Sequence, residues 1–291
     1  MKNLSEAQRA IISTLVYVEQ FDYCLTKQEL FVRLLSKKRL DYSEFEKALL
    51  FLESKKLLSK NQELYFLPEK KDLVAKRLLR KKNSAFFIQN LKKRLWLFKF
   101  FPSIKGVLLT GSLAVANSTK DDDIDMLLIT SRKTLWLSRF LILIVTGILG
   151  WRRKFASKSF AQKWCLNIFL EEDSLEIDRS QRNLYTAYEI MQTKQIYPKG
   201  DFWRSQFLGK NMWLKKYLPQ VNIPQNRKLK RKNIKKRTLI GIINDLFYHL
   251  QIWYMKPKIT REIIKKDQVF FHPKPLSKIV LKIFNDGLKR F

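Results

Sequence analysis

Residues 104–130, IKGVLLTGSLAVANSTKDDDIDMLLIT, constrain the fold more than any other stretch of the chain. Residues 107–109 are apolar and read as a buried strand; Gly111-Ser112 follow at once, and LAVAN begins a helix. A polar acidic turn, STKDD, leads into Asp123-Ile124-Asp125, and residues 126–129 continue as a second apolar strand. Each part has a physical use. A strand-to-helix turn presents the helix's first N–H groups and the positive end of its dipole, which suit phosphate oxygens. Glycine admits close approach of a ligand to the backbone, and the Ser112 hydroxyl adds a donor. Asp123 and Asp125 lie two apart, so their carboxylates project from the same strand face. Such a pair repels itself unless a cation sits between, and an oxygen-rich site of this kind suits Mg²⁺.

With these residues the chain resembles the DNA-polymerase-β-like nucleotidyltransferase superfamily. The signature is an apolar strand, Gly-Ser or Gly-Gly, roughly ten residues, then Asp-x-Asp or Asp-x-Glu on the next strand. Here ten residues separate Gly111-Ser112 from Asp123-Ile124-Asp125. The resemblance covers residues 103–200. It implies that Gly111 and Ser112 hold the triphosphate of a nucleoside triphosphate and that Asp123 and Asp125 are catalytic and hold Mg²⁺. A nucleoside monophosphate would pass to an acceptor hydroxyl with release of pyrophosphate. A third carboxylate, on a later strand, usually completes the family's site. The later strand is read at residues 163–170 (KWCLNIFL), and the expected position holds Asn167, which cannot accept a proton and binds metal poorly. Glu171, two steps of two beyond Asn167, is the candidate third catalytic carboxylate; Glu172, Asp173 and Glu176 are alternatives.

Three helices and a hairpin precede this segment. An amphipathic helix is expected over residues 5–18, and Thr26 to Glu29 form a capping box that opens a second helix through Leu35. Ser43 to Glu46 repeat the signature and open a third helix with Phe45, Ala48, Leu49 and Leu52 inward; a hairpin follows with Asn61 at its turn. This order resembles winged helix-turn-helix modules, although the third helix, with Glu44, Glu46, Lys47 and Glu53, is not especially basic. The expected class is α+β: a winged-helix-like module (1–68), a basic helical connector (69–102), a small mixed-sheet nucleotidyltransferase domain (103–200), and a basic helical C-terminal region (201–291).

Composition bears on partners. The chain has 58 Lys plus Arg against 26 Asp plus Glu, a net charge of +32. Such an excess draws polyanions, and the basic runs 76–82 and 227–237 are candidate contacts to RNA or DNA. The acceptor could be RNA, a protein hydroxyl or a small molecule. A second reading is a non-catalytic nucleic-acid-binding regulator whose Gly-Ser/Asp-x-Asp site is vestigial or senses nucleotide. Two cysteines, without CxxC spacing, and two histidines argue against a disulfide framework or zinc site. With no apolar leader at the start, a cytoplasmic location is expected. Residues 140–151 (FLILIVTGILGW) are uncharged but too short to span a bilayer; they read as a buried helix, with peripheral contact to an anionic membrane as the alternative. The stripe Leu239, Ile242, Ile243, Leu246, Leu250 and Trp253 reads as the apolar face of another helix. Arg179, Arg182 and Tyr185 are candidates to reach a nucleotide, and His272 to touch substrate.

Overall fold

The computed structural model describes residues 4–68, 70, 72–153, 160–224, 239–258, 262–271 and 276–291. Ser5 opens α1 (Glu6–Glu19): its Oγ accepts from the Gln8 N–H (3.2 Å) while the Gln8 side chain accepts from the Ser5 N–H (2.9 Å). After β1 (Leu25–Thr26), the same reciprocal box between Thr26 and Glu29 opens α2 (Lys27–Val32). This helix stops three residues short of Leu35. The third helix, α3 (Tyr42–Ser54), is capped by Asp41, whose carboxylate accepts from the Ser43 N–H (2.9 Å), and not by a Ser43–Glu46 box. Phe45, Ala48, Leu49 and Leu52 are its buried face, as the spacing predicts. Strands β2 (Ser59–Asn61) and β3 (Leu64–Phe66) form the hairpin, with the turn at Gln62 rather than Asn61 and a left-handed φ of 53° there. The three strands pair antiparallel in the order β1-β3-β2.

The long basic helix α4 (Leu73–Lys92) buries Leu73, Val74, Phe87 and Leu91 and leads through a 3₁₀ segment, Leu95–Phe100, into β4 (Ile104–Leu109). One turn of helix, α5 (Gly111–Ala114), follows, then β5 (Ile124–Thr130), α6 (Leu135–Ile148) and β6 (Trp164–Glu171). Next come α7 (Leu184–Gln192), β7 (Lys194–Tyr197) and α8 (Phe202–Lys210). The last part carries α9 (Leu239–Met255), β8 (Ile263–Ile264), β9 (Gln268–Phe270) and α10 (Leu276–Leu288). The molecule is thus a mixed α and β protein with small sheets. Its C-terminal part, although mostly helical, also supplies two strands to the central sheet.

That sheet runs β7-β4-β5-β6-β9-β8. All its neighbours pair antiparallel except β5 and β6, whose parallel connection runs through α6. Alternation along the strands divides the core. Leu108, Leu127, Ile129, Ile168 and Leu170 face α7, α8 and the N-terminal module. Val107, Leu109, Met126, Leu128 and Phe169 face α6 and the rings of Phe98 and Trp136. On the first side Tyr17 of α1 stacks on Tyr188 of α7 (centroids 4.1 Å apart) and meets Phe284 of α10 edge-on.

Two apolar segments depart from expectation. Helix α6 is buried along Leu135, Trp136, Ser138, Ile142 and Thr146 but exposes Leu141, Ile144 and Ile148. Helix α9 is turned the other way from its apolar stripe: it buries Gly241, Asn244 and Gln251 and exposes Leu239, Ile242, Leu246, Leu250 and Trp253. The cause lies in α6. The first N–H groups of a helix have no partner within it, and here Asn244 Oδ1 accepts from the N–H groups of Trp136 (2.8 Å) and Leu137 (3.2 Å). Gln251 holds the Trp136 carbonyl (2.8 Å) and the Arg139 guanidinium, which stacks on Phe271 at 4.4 Å. The inner side of α9 is therefore mixed: Asn244 and Gln251 serve α6, while Phe247, Tyr248, Ile252 and Met255 pack on the core beside them. Among the described residues no helix is long and apolar enough to cross a membrane.

Candidate functional site

The β4–β5 end of the central sheet carries Gly111, Ser112, Asp123 and Asp125 together. The Thr110 N–H donates to the Asp125 carbonyl (3.1 Å), holding the strand ends side by side. Gly111 has φ +62°, and a Cβ there would lie 2.8 Å from Asp125 Oδ2. The position admits glycine on both counts: the backbone is left-handed and the carboxylate occupies the space a side chain needs. The helix after it is a single turn, Gly111–Ala114, so the sizeable dipole expected from LAVAN is missing. The Ser112 hydroxyl is also engaged. It donates to Asp122 Oδ2 (2.7 Å), and Asp122 accepts from the Thr119 N–H (3.1 Å) and hydroxyl as well, folding the acidic turn onto itself.

Asp123, Asp125 and Cys165 present ligand atoms within 4.8 Å of one another. Arg153 pairs with Asp123 at 2.7 Å. Asp125 is partly buried, and burial followed by the charge of Asp123 pushes its carboxyl up to about 6. Burial first, then the neighbouring Asp125, raises the Cys165 thiol as well.

Strand β6 places the remaining groups through a bulge. Its register against β5 slips between Leu166 and Ile168, so that Met126 faces Leu166 but Leu127 faces Ile168. The extra residue is Asn167, whose Nδ2 donates to Asp125 Oδ1 (3.0 Å) and whose Oδ1, although buried, has no partner. Asn167 thus stands beside the aspartates, where the third carboxylate was expected. The bulge also moves Glu171. With simple alternation it would share a face with Asn167, but an inserted residue reverses the faces beyond it. Ile168 and Leu170 then line the site side, and Glu171 turns to α6. It pairs with Thr130, five residues along β5 from Asp125 and roughly 16 Å away. There it is buried, and it accepts from the N–H groups of Thr134 (3.2 Å) and Leu135 (3.4 Å) at the start of α6. Its carboxyl is pushed up to about 7 by burial, against those donors. Glu171 is a helix cap and not part of the site. Glu172, Asp173 and Glu176 do not line the cavity described next.

A carboxylate that the sequence did not flag reaches the site from α7. Glu189 is raised to about 7 by burial and by the charge of Asp125, and is lowered by the adjacent Gly111 N–H. It sits between buried Tyr188 and Ile190 in a helix whose sequence marks no acid as special. Tyr185, one turn earlier, also lines the cavity, whereas Arg182 turns away to Glu176 and the Trp213 ring. Arg179 is likewise outside it. His272 and the run 227–237 lie outside the described residues.

These groups form the floor of a cavity of about 690 Å³ between the sheet and the N-terminal module. The opposite wall brings Tyr17, Tyr23, Arg33 and Arg80, which only the fold could reveal as neighbours of the aspartates. The module and α4 together grip the loop after α5. Tyr23 donates its hydroxyl to the Val115 carbonyl (2.9 Å), Arg77 donates to the carbonyls of Val115 (3.0 Å) and Ala116 (3.2 Å), and Asn117 donates to the Phe21 carbonyl (3.0 Å). The run 76–82 is therefore partly consumed within the chain: Arg77 pairs with Glu29 and Arg80 with Asp22, while Lys81 and Lys82 remain exposed.

The donor set fits a hard divalent cation in part. Asp123, Asp125 and the orphaned Asn167 oxygen are the oxygen ligands such an ion takes; the Cys165 thiol and Arg153 are the features that do not belong to one. Comparison with protein-family models, with curated proteins and with solved structures finds no match to this chain.

Proposed function

We propose that the protein is a nucleotidyltransferase of the DNA-polymerase-β-like kind, moving a nucleoside monophosphate from a nucleoside triphosphate to an acceptor hydroxyl. The observation that carries the reading is the convergence of Asp123, Asp125, Asn167 and Glu189 at the floor of one cavity, with Arg33 and Arg80 on its far wall. Asp123, Asp125 and Asn167 are the residues that would hold Mg²⁺. When bound, Mg²⁺ supplies positive charge to the triphosphate and to the developing negative charge. Gly111 allows the nucleotide close to the backbone, and Arg33 on the cavity wall can neutralise a phosphate, while Arg80 is already paired with Asp22. The acceptor oxygen bonds to the α-phosphorus as the bond from that phosphorus to the bridging oxygen breaks, and pyrophosphate leaves. Glu189, raised to about 7, takes the acceptor proton; a base poised near neutral pH is suited to that task.

The N-terminal module is proposed as a winged helix, from its element order and its β1-β3-β2 hairpin sheet. Its α3 exposes Tyr42, Leu50 and Phe51 beside Glu44 and Lys47, a mixed surface better suited to protein than to DNA. The +32 charge keeps RNA among the acceptors, beside a protein hydroxyl or a small molecule.

One observation favours the non-catalytic reading. Arg153 occupies Asp123 and Asn167 stands where a carboxylate is expected, so the site could bind nucleotide without turning it over. The separating experiment incubates the protein with α-labelled ATP, CTP, GTP and UTP, each with Mg²⁺, and with total RNA, with total protein or alone. Label entering one acceptor class, and absent with Asp123→Ala/Asp125→Ala, is the expected result. Nucleotide binding that requires Asp125 but never transfers label identifies a sensor. Binding of nucleic acid that is lost only when residues 227–237 are neutralised identifies the regulator.

A further inference from the structure

Helix α9 is apolar on both sides: Phe247, Tyr248, Ile252 and Met255 pack on the core, and a second apolar face looks outward. Leu239 is 73 % exposed, Leu246 66 % and Trp253 75 %, with Ile242 and Leu250 between them. Beside it α6 exposes Leu141, Ile144 and Ile148, the last at 80 %. The two helices run side by side in the same direction, joined by Asn244 at Trp136, by Phe140 on Phe247 (4.5 Å) and by Gln251 at Arg139. The inner face of α9 is fixed by the capping of α6 and by the packing of Phe247, Tyr248, Ile252 and Met255, so the helix cannot turn its leucines inward without stripping those N–H groups and exposing those side chains. An apolar stripe of this size left in water marks a contact surface.

Charge decides what covers it. From Leu239 to Lys258 there is one acid, Asp245, and it leans to Lys266 at 3.5 Å. The sequence just ahead of α9, residues 227–237, has eight cations in eleven positions and no acid. A second copy of the chain would bring +32 against +32, and a nucleic acid offers little for leucines to bury against. A surface with anionic headgroups above hydrocarbon answers both features. Trp253 and Tyr254, whose rings suit the boundary between headgroup and acyl chain, stand next to Lys256 and Lys258. We infer that α9, with the outer stripe of α6, is a docking face for an anionic lipid bilayer, on which the helices lie flat. The inference is independent of nucleotide transfer and stands or falls without it.

Flotation of the full chain with vesicles tests it. One set is phosphatidylcholine alone and the other contains about one third phosphatidylglycerol, at about 0.15 M salt. The chain should float with the anionic set and stay behind with the neutral one. Leu246→Ser/Trp253→Ser should lower vesicle affinity about tenfold or more, roughly the loss of one fully buried Leu-sized side chain, with an unchanged melting temperature because both residues face solvent. Ile148→Ser on α6 should act in the same direction. Three results overturn the inference: no flotation with anionic vesicles, flotation undiminished in the double variant, or a melting temperature that falls as for a core residue. A lipid-free dimer in sedimentation velocity that the double variant dissolves would do so as well, assigning the face to a second copy.

Discussion

Two regions of this protein hold side chains where water and hydrocarbon would not put them. At the sheet end, Asp125 and Glu189 are drawn together and partly out of water, to carboxyl values near 6 and 7. On α9, seven large apolar or aromatic side chains stand in water, five of them on the stripe from Leu239 to Trp253. The first region crowds charge that a cation would relieve; the second exposes surface that a partner would cover. Helix α1 is the control for both, since it has the same periodicity as α9 and buries Ile11, Ile12, Leu15 and Tyr17 in the main core. Departures from local preference concentrate at functional places, and the two regions differ in what would relieve them.

The largest expected effect tests the charged region. Asp123→Ala/Asp125→Ala should lower label transfer by on the order of 10³-fold or more, with little change in fold as judged by circular dichroism. The next separates α9 from α1. Leu15→Ala should lose about 3 kcal/mol of unfolding free energy, whereas Leu246→Ala should stay within about 0.5 kcal/mol; equal losses in denaturant titrations would erase the contrast.

Removing one of the crowded acids should then stabilise the protein. Glu189 has a raised value in the folded chain, so the fold binds protons more tightly than the unfolded chain does. Stability from this group is intact below about pH 4 and falls as pH rises toward 7. Glu189→Gln should therefore raise stability at pH 8 by on the order of 2 kcal/mol and leave it unchanged at pH 4, measured by urea titration at both pH values. Asn167→Asp should sharpen the picture more gently, tightening divalent-cation binding severalfold, on the order of 1 kcal/mol, in calorimetry. Glu171→Gln should be nearly silent in transfer, because it serves the start of α6.

The sequence displayed the site unevenly. Gly111, Ser112, Asp123 and Asp125 are adjacent in the chain or on neighbouring strands, so their meeting follows from strand periodicity alone. Glu171 was misplaced by a single inserted residue at Asn167, which alternation cannot reveal, since a bulge is a property of pairing with β5. Glu189, Arg33 and Arg80 come from elements far apart in the chain, and no local pattern distinguishes them from surface charges. For α9 the periodicity grouped the correct residues on one face but could not tell which way that face looks. That depended on Asn244 and Gln251 being needed at α6 and on Phe247, Tyr248, Ile252 and Met255 packing beside them, a tertiary arrangement the stripe alone does not reveal.

The most direct test of the acidic cluster as a nucleotide and cation site is calorimetric titration of Mn²⁺ into the full chain, with and without ATP. One binding event, strengthened by ATP and absent from Asp123→Asn/Asp125→Asn, is the expected result. Failure to bind up to about millimolar Mn²⁺ with ATP present, or equal binding by the double variant, would contradict it, since ordinary sites of this oxygen chemistry bind within that range.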